Sequence, residues 1–284
     1  MAQTRLGAHA YGKAGIRLAK VERAGERHTF HDLTVRLRLE GDFAAAYVDG
    51  DNSTSLPTDT MRTTAYALAA DLPLTETERY LEALGGRLLA AAPAATAAHA
   101  EAVVHRWERL AASGDAAGHP HAFRRASADG TASVTCRRDG PVRVRSGLTG
   151  LTLAKTTGSG FAGFRTDEFT VLAETDDRVL ATEVEAEWTW LRPPESYAAA
   201  RPAVQAAVEE VFATRYSPSV QHTLYAAGEA ALAAVPEIAS IGFRLPNRHH
   251  VPVDLTPFGR PNRNEVFAVP DRPYGLIEGT VVRE

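Results

Sequence analysis

The sequence predicts an α+β protein made of two copies of one unit, each an antiparallel sheet with its helices on one face. Three observations carry this reading. Short strings recur in the same order at offsets of 115, 118 and 117 residues: His31 to Leu39 with Ser146 to Leu153, Gly41 to Phe43 with Ser159 to Phe161, and Pro57 to Ala65 with Glu174 to Thr182. A period this long indicates duplicated domains and not a solenoid. Each half then runs strand, strand, helical region, strand, strand by its hydrophobic periodicity. Finally, 284 residues suit two domains of about 140 residues. The expected domains are residues 1–138 and 139–284.

The elements follow in order. Gly15 to Val21 and Thr29 to Leu39 alternate apolar and polar residues and read as strands. Thr75-Glu-Thr-Glu78 has the capping-box pattern. It opens a helix with Leu81, Leu84, Leu88 and Leu89 on one side, and Pro93 closes it. Ala100 to Leu110 is ambiguous by period alone, but the second half argues for a strand. The stretch from Ser113 to Asp139, rich in Gly, Asp, Ser and His, reads as a loop or hairpin joining the halves. Two helices fall between Ser196 and Val235. The second opens at Ser217-Pro218, an N-cap followed by proline at the first helical position. Pro236 ends it, and Ile238 to Leu245 reads as a strand.

Composition narrows the function. The chain is 44% hydrophobic and 23% charged, so a packed core is expected and a disordered chain is not. Lys plus Arg is 31 against 35 for Asp plus Glu, a net charge of -4 without the basic field of a nucleic-acid binder. The most apolar run, Leu88 to Val104, is mostly alanine and is broken by Pro93, His99 and Glu101, so no membrane span is expected. Cys136 is alone, which excludes an intrachain disulfide and suits a reducing cytoplasm. The first residues carry no signal-peptide pattern.

Several residues invite a chemical role, each beside a plainer one. His249-His250 and His119-Pro-His121 suggest a metal. Adjacent histidines on a strand point to opposite faces, though, so one satisfied and one solvated histidine is the better reading. Cys136 has nothing local to activate it and reads as an inert thiol. Arg178 stands where the first copy of the repeat has Met61. An exchange of Met for Arg inside a kept frame points to a ligand, or equally to a surface salt bridge with Asp176 or Asp177. Val220 and Gln221 fall in the first turn of a helix, where free N–H groups attract acceptor-rich ligands. On that feature alone an ordinary capped helix is the stronger reading.

Taken together, longer strings resemble urate oxidase. They are Tyr11-Gly-Lys13 with Arg17 and Lys20-Val21, Gly50-Asp-Asn-Ser53, Pro57-Thr-Asp-Thr60, Phe161-Ala-Gly-Phe164 with Asp167-Glu168, and Glu174-Thr-Asp-Asp-Arg178. They continue through Ser217-Pro-Ser-Val-Gln-His222, Leu245-Pro-Asn-Arg-His-His250, Asn264-Glu-Val-Phe267 and Asp271-Arg-Pro-Tyr-Gly-Leu-Ile-Glu278. The resemblance implies two tandem tunnelling-fold domains. It implies homotetramers whose sheets close into barrels, which would remove exposed sheet edges. It implies active sites at subunit interfaces, no cofactor and no metal, and oxidation of urate by dioxygen to 5-hydroxyisourate and hydrogen peroxide.

The resemblance also assigns roles. Phe161 stacks on the purine, Arg178 offers its planar fork to one edge, and Gln221 with the Val220 backbone grips the other. Leu172 lines the same pocket, and Asn247 holds dioxygen or water above the ring. Lys13, Thr58 and His249 form the proton relay. Thr58 and Asp59 come from a neighbouring subunit. The chain departs from the family pattern at Thr63 and Ala162, and residues 91–139 are the least family-like. Two rivals remain: a catalytically silent purine-binding homologue, and another tunnelling-fold enzyme acting on pterin or purine rings. Several of the latter use zinc, for which this chain offers no convincing His/Cys set.

Overall fold

A computed structural model describes residues 3–23 and 25–284. The chain divides into two compact units, Met1–Gly147 with Glu195–Ala198, and Leu148–Pro194 with Ala199–Glu284. In the first unit the order is β1 (Tyr11–Glu22), β2 (Thr29–Gly41), α1 (Ala44–Val48), α2 (Thr58–Asp71), α3 (Thr77–Ala91), β3 (Ala95–Val104), β4 (Trp107–Arg109), β5 (Phe123–Arg125) and β6 (Asp129–Arg137). Strands β1, β2, β3 and β6 pair side by side, all antiparallel, while β4 and β5 form a separate two-stranded ribbon. Helix α2 packs on β1, and α3 packs on β3 and β6.

The period-2 reading of β2 is visible in its burial. Leu33, Val35, Leu37 and Leu39 are all buried in the core, where they meet Leu81, Leu84 and Leu88 of α3. Close approach of α3 to β6 depends on Gly85, since a Cβ there would come within 2.8 Å of the Cys136 sulfur. Burial, with Glu82 nearby, raises the pKa of the Cys136 thiol, in keeping with an inert side chain.

The second unit follows the same order. It contains most of β7 (Arg143–Lys155), β8 (Leu180–Trp190), α4 (Tyr197–Thr214), α5 (Val220–Ala234), β9 (Ile238–Asn247), β10 (Val251–Pro252), a 3₁₀ turn at Thr256–Phe258, β11 (Phe267–Ala268) and β12 (Gly275–Val282). The sheet order is β7-β8-β9-β12, and α5 packs on β9 and β12. Among the described residues no helix is long and apolar enough to cross a membrane.

One arginine clamp occurs in each unit and fixes the register of the duplication. Arg138, just after β6, donates from Nη2 to Leu89 O and Ala92 O at 2.9 and 3.1 Å, and from Nε to Ala95 O at 3.0 Å. Arg283, just after β12, donates from Nη2 to Leu232 O and Val235 O and from Nε to Ile238 O. Each guanidinium thus satisfies the orphan carbonyls at a helix C-terminus, where the dipole favours a cation. The paired acceptors lie 143 residues apart, as do the starts of α3 and α5 and the starts of β3 and β9.

That spacing corrects the sequence register. Strings matched at 115 to 118 residues compare β2 with β7 and the start of α2 with the loop before β8, which are not equivalent places in the two units. Met61 is accordingly a fully buried core residue of α2 and no counterpart of Arg178. Three further expectations change. The capping box at Thr75 does not form. Helix α3 begins at Thr77, whose hydroxyl donates back to Leu74 O, and the N-cap Glu76 makes no side-chain cap bond. The cap of α5 is Ser219, accepting from His222 N, because Ser217 is held in backbone pairing instead. Residues 113–139 are no mere linker, since β6 is a full strand of the first sheet, paired along its length with β3.

Candidate functional site

The second unit contains a cavity of about 320 Å³ lined by, among others, Phe161, Leu172, Arg178, Asn247 and His249. That is within the range of small-molecule pockets, roughly 300–1,000 Å³. Five of the residues singled out in the sequence therefore share one cavity.

The local chain path explains the convergence. Residues 158–161 run between two partners. On one side Gly160 N donates to Ser217 O and Ser217 N donates to Gly158 O, both at 2.9 Å. On the other, Phe161 and Thr175 exchange two backbone hydrogen bonds at 2.7 and 3.0 Å, and Arg178 N donates to Ser159 O at 2.8 Å. Ser159 and Ser217 are buried, so this small ladder is anchored in the interior. It brings the aromatic ring, the arginine loop and the approach to α5 into one frame. The opposite wall comes from the end of β9. Asn247 lies between Thr182 of β8 and Gly275 of β12. The chain beyond is pinned by Arg248, which donates its N–H to Ala181 O at 2.9 Å and pairs with Glu183.

Arg178 is the electrostatic centre. Its guanidinium carbon lies 5.4 Å from the centre of the Phe161 ring, and Phe161 in turn stacks on Phe164 at 4.9 Å. Its Nε is buried and finds no acceptor among the described residues. Burial pushes its pKa down from the usual arginine value, opposed by the Tyr216 phenol nearby. The salt bridge to Asp176 or Asp177 does not form among the described residues. Asp177 instead accepts from Thr157 Oγ1 at 2.8 Å, and Glu174 accepts from Gly163 N at 2.8 Å. A buried donor without a partner costs free energy, and a guanidinium in this setting can take an acceptor on a bound molecule.

Other expected residues lie elsewhere. Val220 is buried and lines a separate apolar cavity of about 20 Å³ with Leu180, Val208, Phe212 and Phe243. Gln221 is exposed in the first turn of α5. Lys13, Thr58 and Asp59 belong to the first unit. Lys13 is half-buried in β1 opposite Leu37, where the strand register shifts before Ile16. Gly15, with φ at 68°, allows that irregularity. Thr58 opens α2 directly after Pro57, and Asp59 in the same turn pairs with Arg62 at 2.7 Å.

The cavity is also lined by His250 and by Val251, Pro252, Asn264 and Phe267, the last four of which the sequence marks for no role. On a strand His249 and His250 would point to opposite faces. In the structure β9 ends at Asn247 and the residues that follow are irregular, so both histidines line the cavity. Among the described residues no group of three or more His, Cys, Asp or Glu is placed to hold a metal ion. Asn264 carries a positive φ of 63°, a conformation in which asparagine is enriched among non-glycine residues.

Fold and cavity together define a duplicated antiparallel α+β protein with a small-molecule-sized pocket in its second unit. The chain belongs to the uricase family, whose model matches residues 9–135 and 144–278. It is 40% identical over 279 residues to the uricase of Arthrobacter globiformis, covering 98% of this chain and 90% of that one. It is 36% identical to the uricase of Aspergillus flavus, covering 96% and 95%. The crystal structure of uricase from Arthrobacter globiformis superposes with a TM-score of 0.93 at 41% identity, covering 100% of this chain and 96% of that one.

Proposed function

We propose that this protein is a urate oxidase, converting urate, dioxygen and water to 5-hydroxyisourate and hydrogen peroxide. The observation that carries the reading is the buried, unpartnered Nε of Arg178 beside the Phe161 ring, in a chain whose curated relatives are uricases. Urate is planar and rich in carbonyl and ring-nitrogen acceptors. Its face suits Phe161, and its edge presents an adjacent oxygen and nitrogen to a planar fork. Deprotonated urate gives two electrons to dioxygen, which leaves as peroxide, and water then adds to the oxidised ring. The purine is thus the reductant, and we infer that no cofactor takes part.

In the proposed complete site Gln221 holds the far edge, Leu172 closes the side, and Asn247 holds dioxygen or water over the ring. Lys13 accepts the urate proton, Thr58 relays it, and His249 completes the relay. Thr58 and Asp59 come from another subunit of a homotetramer. A cytoplasmic location fits the single cysteine. Positioned donors favour the deprotonated ring already on binding, so the proton relay and not the clamp governs the rate.

The test uses the purified full chain with urate and a chelator. Loss of the urate ultraviolet band with one dioxygen consumed and one peroxide formed per urate is expected. Binding without oxidation would support the silent purine-binding alternative instead.

A further inference from the structure

We propose that Tyr216 is a positioning residue for the urate pocket, holding the Arg178 loop to the approach of α5. The inference rests on the urate reading above. Tyr216 directly precedes Ser217, which pairs with residues 158–160. Its hydroxyl donates to the backbone carbonyl of Asp176 at 2.9 Å, two residues before Arg178. The strap therefore joins the chain that leads into Val220 and Gln221 to the chain that presents the fork.

Gly160 makes room for it. A Cβ at that position would sit 2.3 Å from the Tyr216 oxygen, 2.9 Å from Thr175 O and 3.1 Å from Asp176 Cα. The phenol thus occupies the space that any other side chain at residue 160 would need. Two features make this strap matter for binding and little for folding. Among the described residues the Arg178 Nε has no acceptor, so the aim of the guanidinium depends on the Phe161 ring and on the backbone beneath it. Tyr216 is 52% exposed, so its hydroxyl is no part of the packed core. A flat ligand held by Arg178 at one edge and Gln221 at the other is sensitive to their alignment, since a hydrogen bond weakens steeply when its donor is turned off line.

The experiment is Tyr216→Phe, which removes only the hydroxyl. With urate titrated anaerobically, so that no turnover occurs, binding is expected to weaken about 3- to 10-fold, the scale of one hydrogen bond. At saturating urate in air, kcat is expected to stay within about twofold, giving a KM effect without a kcat effect. Amide exchange at Arg178 and Gly160 is expected to quicken in the free protein, with an unchanged melting temperature. In an Arg178→Lys background the same change is expected to add almost nothing, because both act through one fork.

Wild-type affinity and wild-type exchange in Tyr216→Phe would overturn the proposal, as would losses that multiply in the double variant. If the wild-type chain neither binds nor oxidises urate, the urate reading fails. The exchange measurement on free protein then still decides whether Tyr216 holds the Arg178 loop.

Discussion

Replacing Arg178 by lysine and by methionine separates ligand binding from folding, because the two effects have opposite signs. Lysine keeps the charge and loses the fork, so one of two charged hydrogen bonds to the purine edge is lost. Such a bond contributes about 1.5–3 kcal/mol, which weakens binding about 10- to 150-fold. In the free protein the arginine is a burden. Its buried Nε has no acceptor, which costs about 1–3 kcal/mol. The contact with the Phe161 ring offsets about 0.5–1 kcal/mol of this. Arg178→Met removes both and leaves an apolar stem in place, so the free protein is expected to gain roughly 0–2 kcal/mol. Anaerobic titration calorimetry with urate measures the first effect, and urea denaturation without ligand measures the second. A lysine variant that binds urate within twofold of wild type would refute the fork. A methionine variant that is clearly destabilised would show that Arg178 serves the fold.

Lys13→Met keeps the stem and removes the basic nitrogen. Turnover is expected to fall by roughly two to four orders of magnitude while anaerobic urate binding holds, and near-native turnover would place the base elsewhere. Co-refolding inactive Thr58→Ala chains with inactive Arg178→Ala chains is expected to restore some activity, and mixed oligomers without activity would count against shared pockets. Arg138→Ala and Arg283→Ala each leave helix-end carbonyls unpaired, so each is expected to cost ~1–3 kcal/mol in urea denaturation; no loss in either would mean that water replaces the clamp. Asp129 is held below the usual aspartate pKa. Burial opposes its ionisation, but hydrogen bonds from Arg125, His105 and the Arg106 amide outweigh that effect. Its stabilising contribution is therefore complete above about pH 4 and is lost as pH falls through the lower folded value. The stability gap between wild type and Asp129→Asn should narrow across that window, and a gap independent of pH would refute the assignment.

The elements β2 and α3 were legible because each buries one face at its own fixed period, which sequence displays directly. The duplication was legible too, but not its register. Short strings of Thr, Asp and Leu match by composition as easily as by ancestry, whereas the arginine clamps at Arg138 and Arg283 involve backbone carbonyls that leave no side-chain pattern. Strand β6 was hidden because its buried positions are Gly130, Ala132, Val134 and Cys136, small residues that read as loop. Ser217 looked like the better cap because proline follows it. Its amide and carbonyl were already committed to Gly158 and Gly160, a long-range choice that local rules cannot see.

The site was legible in part. Phe161, Arg178, Asn247 and His249 stood in distinctive strings, and one cavity collects them. Arg178 and Met61 are not equivalent positions of the two units, although Arg178 itself lines the cavity. The Tyr216 hydroxyl donates to a backbone carbonyl, a partner that leaves no side-chain pattern in the sequence.

The most direct measurement is a crystal structure of the assembled protein grown anaerobically with urate. The purine is expected to lie flat against Phe161, with Arg178 Nε and one terminal nitrogen donating to adjacent atoms of its edge, Gln221 on the opposite edge and Asn247 above the ring. Urate bound away from Arg178, or an Arg178 Nε still without an acceptor in the complex, would contradict the proposed site.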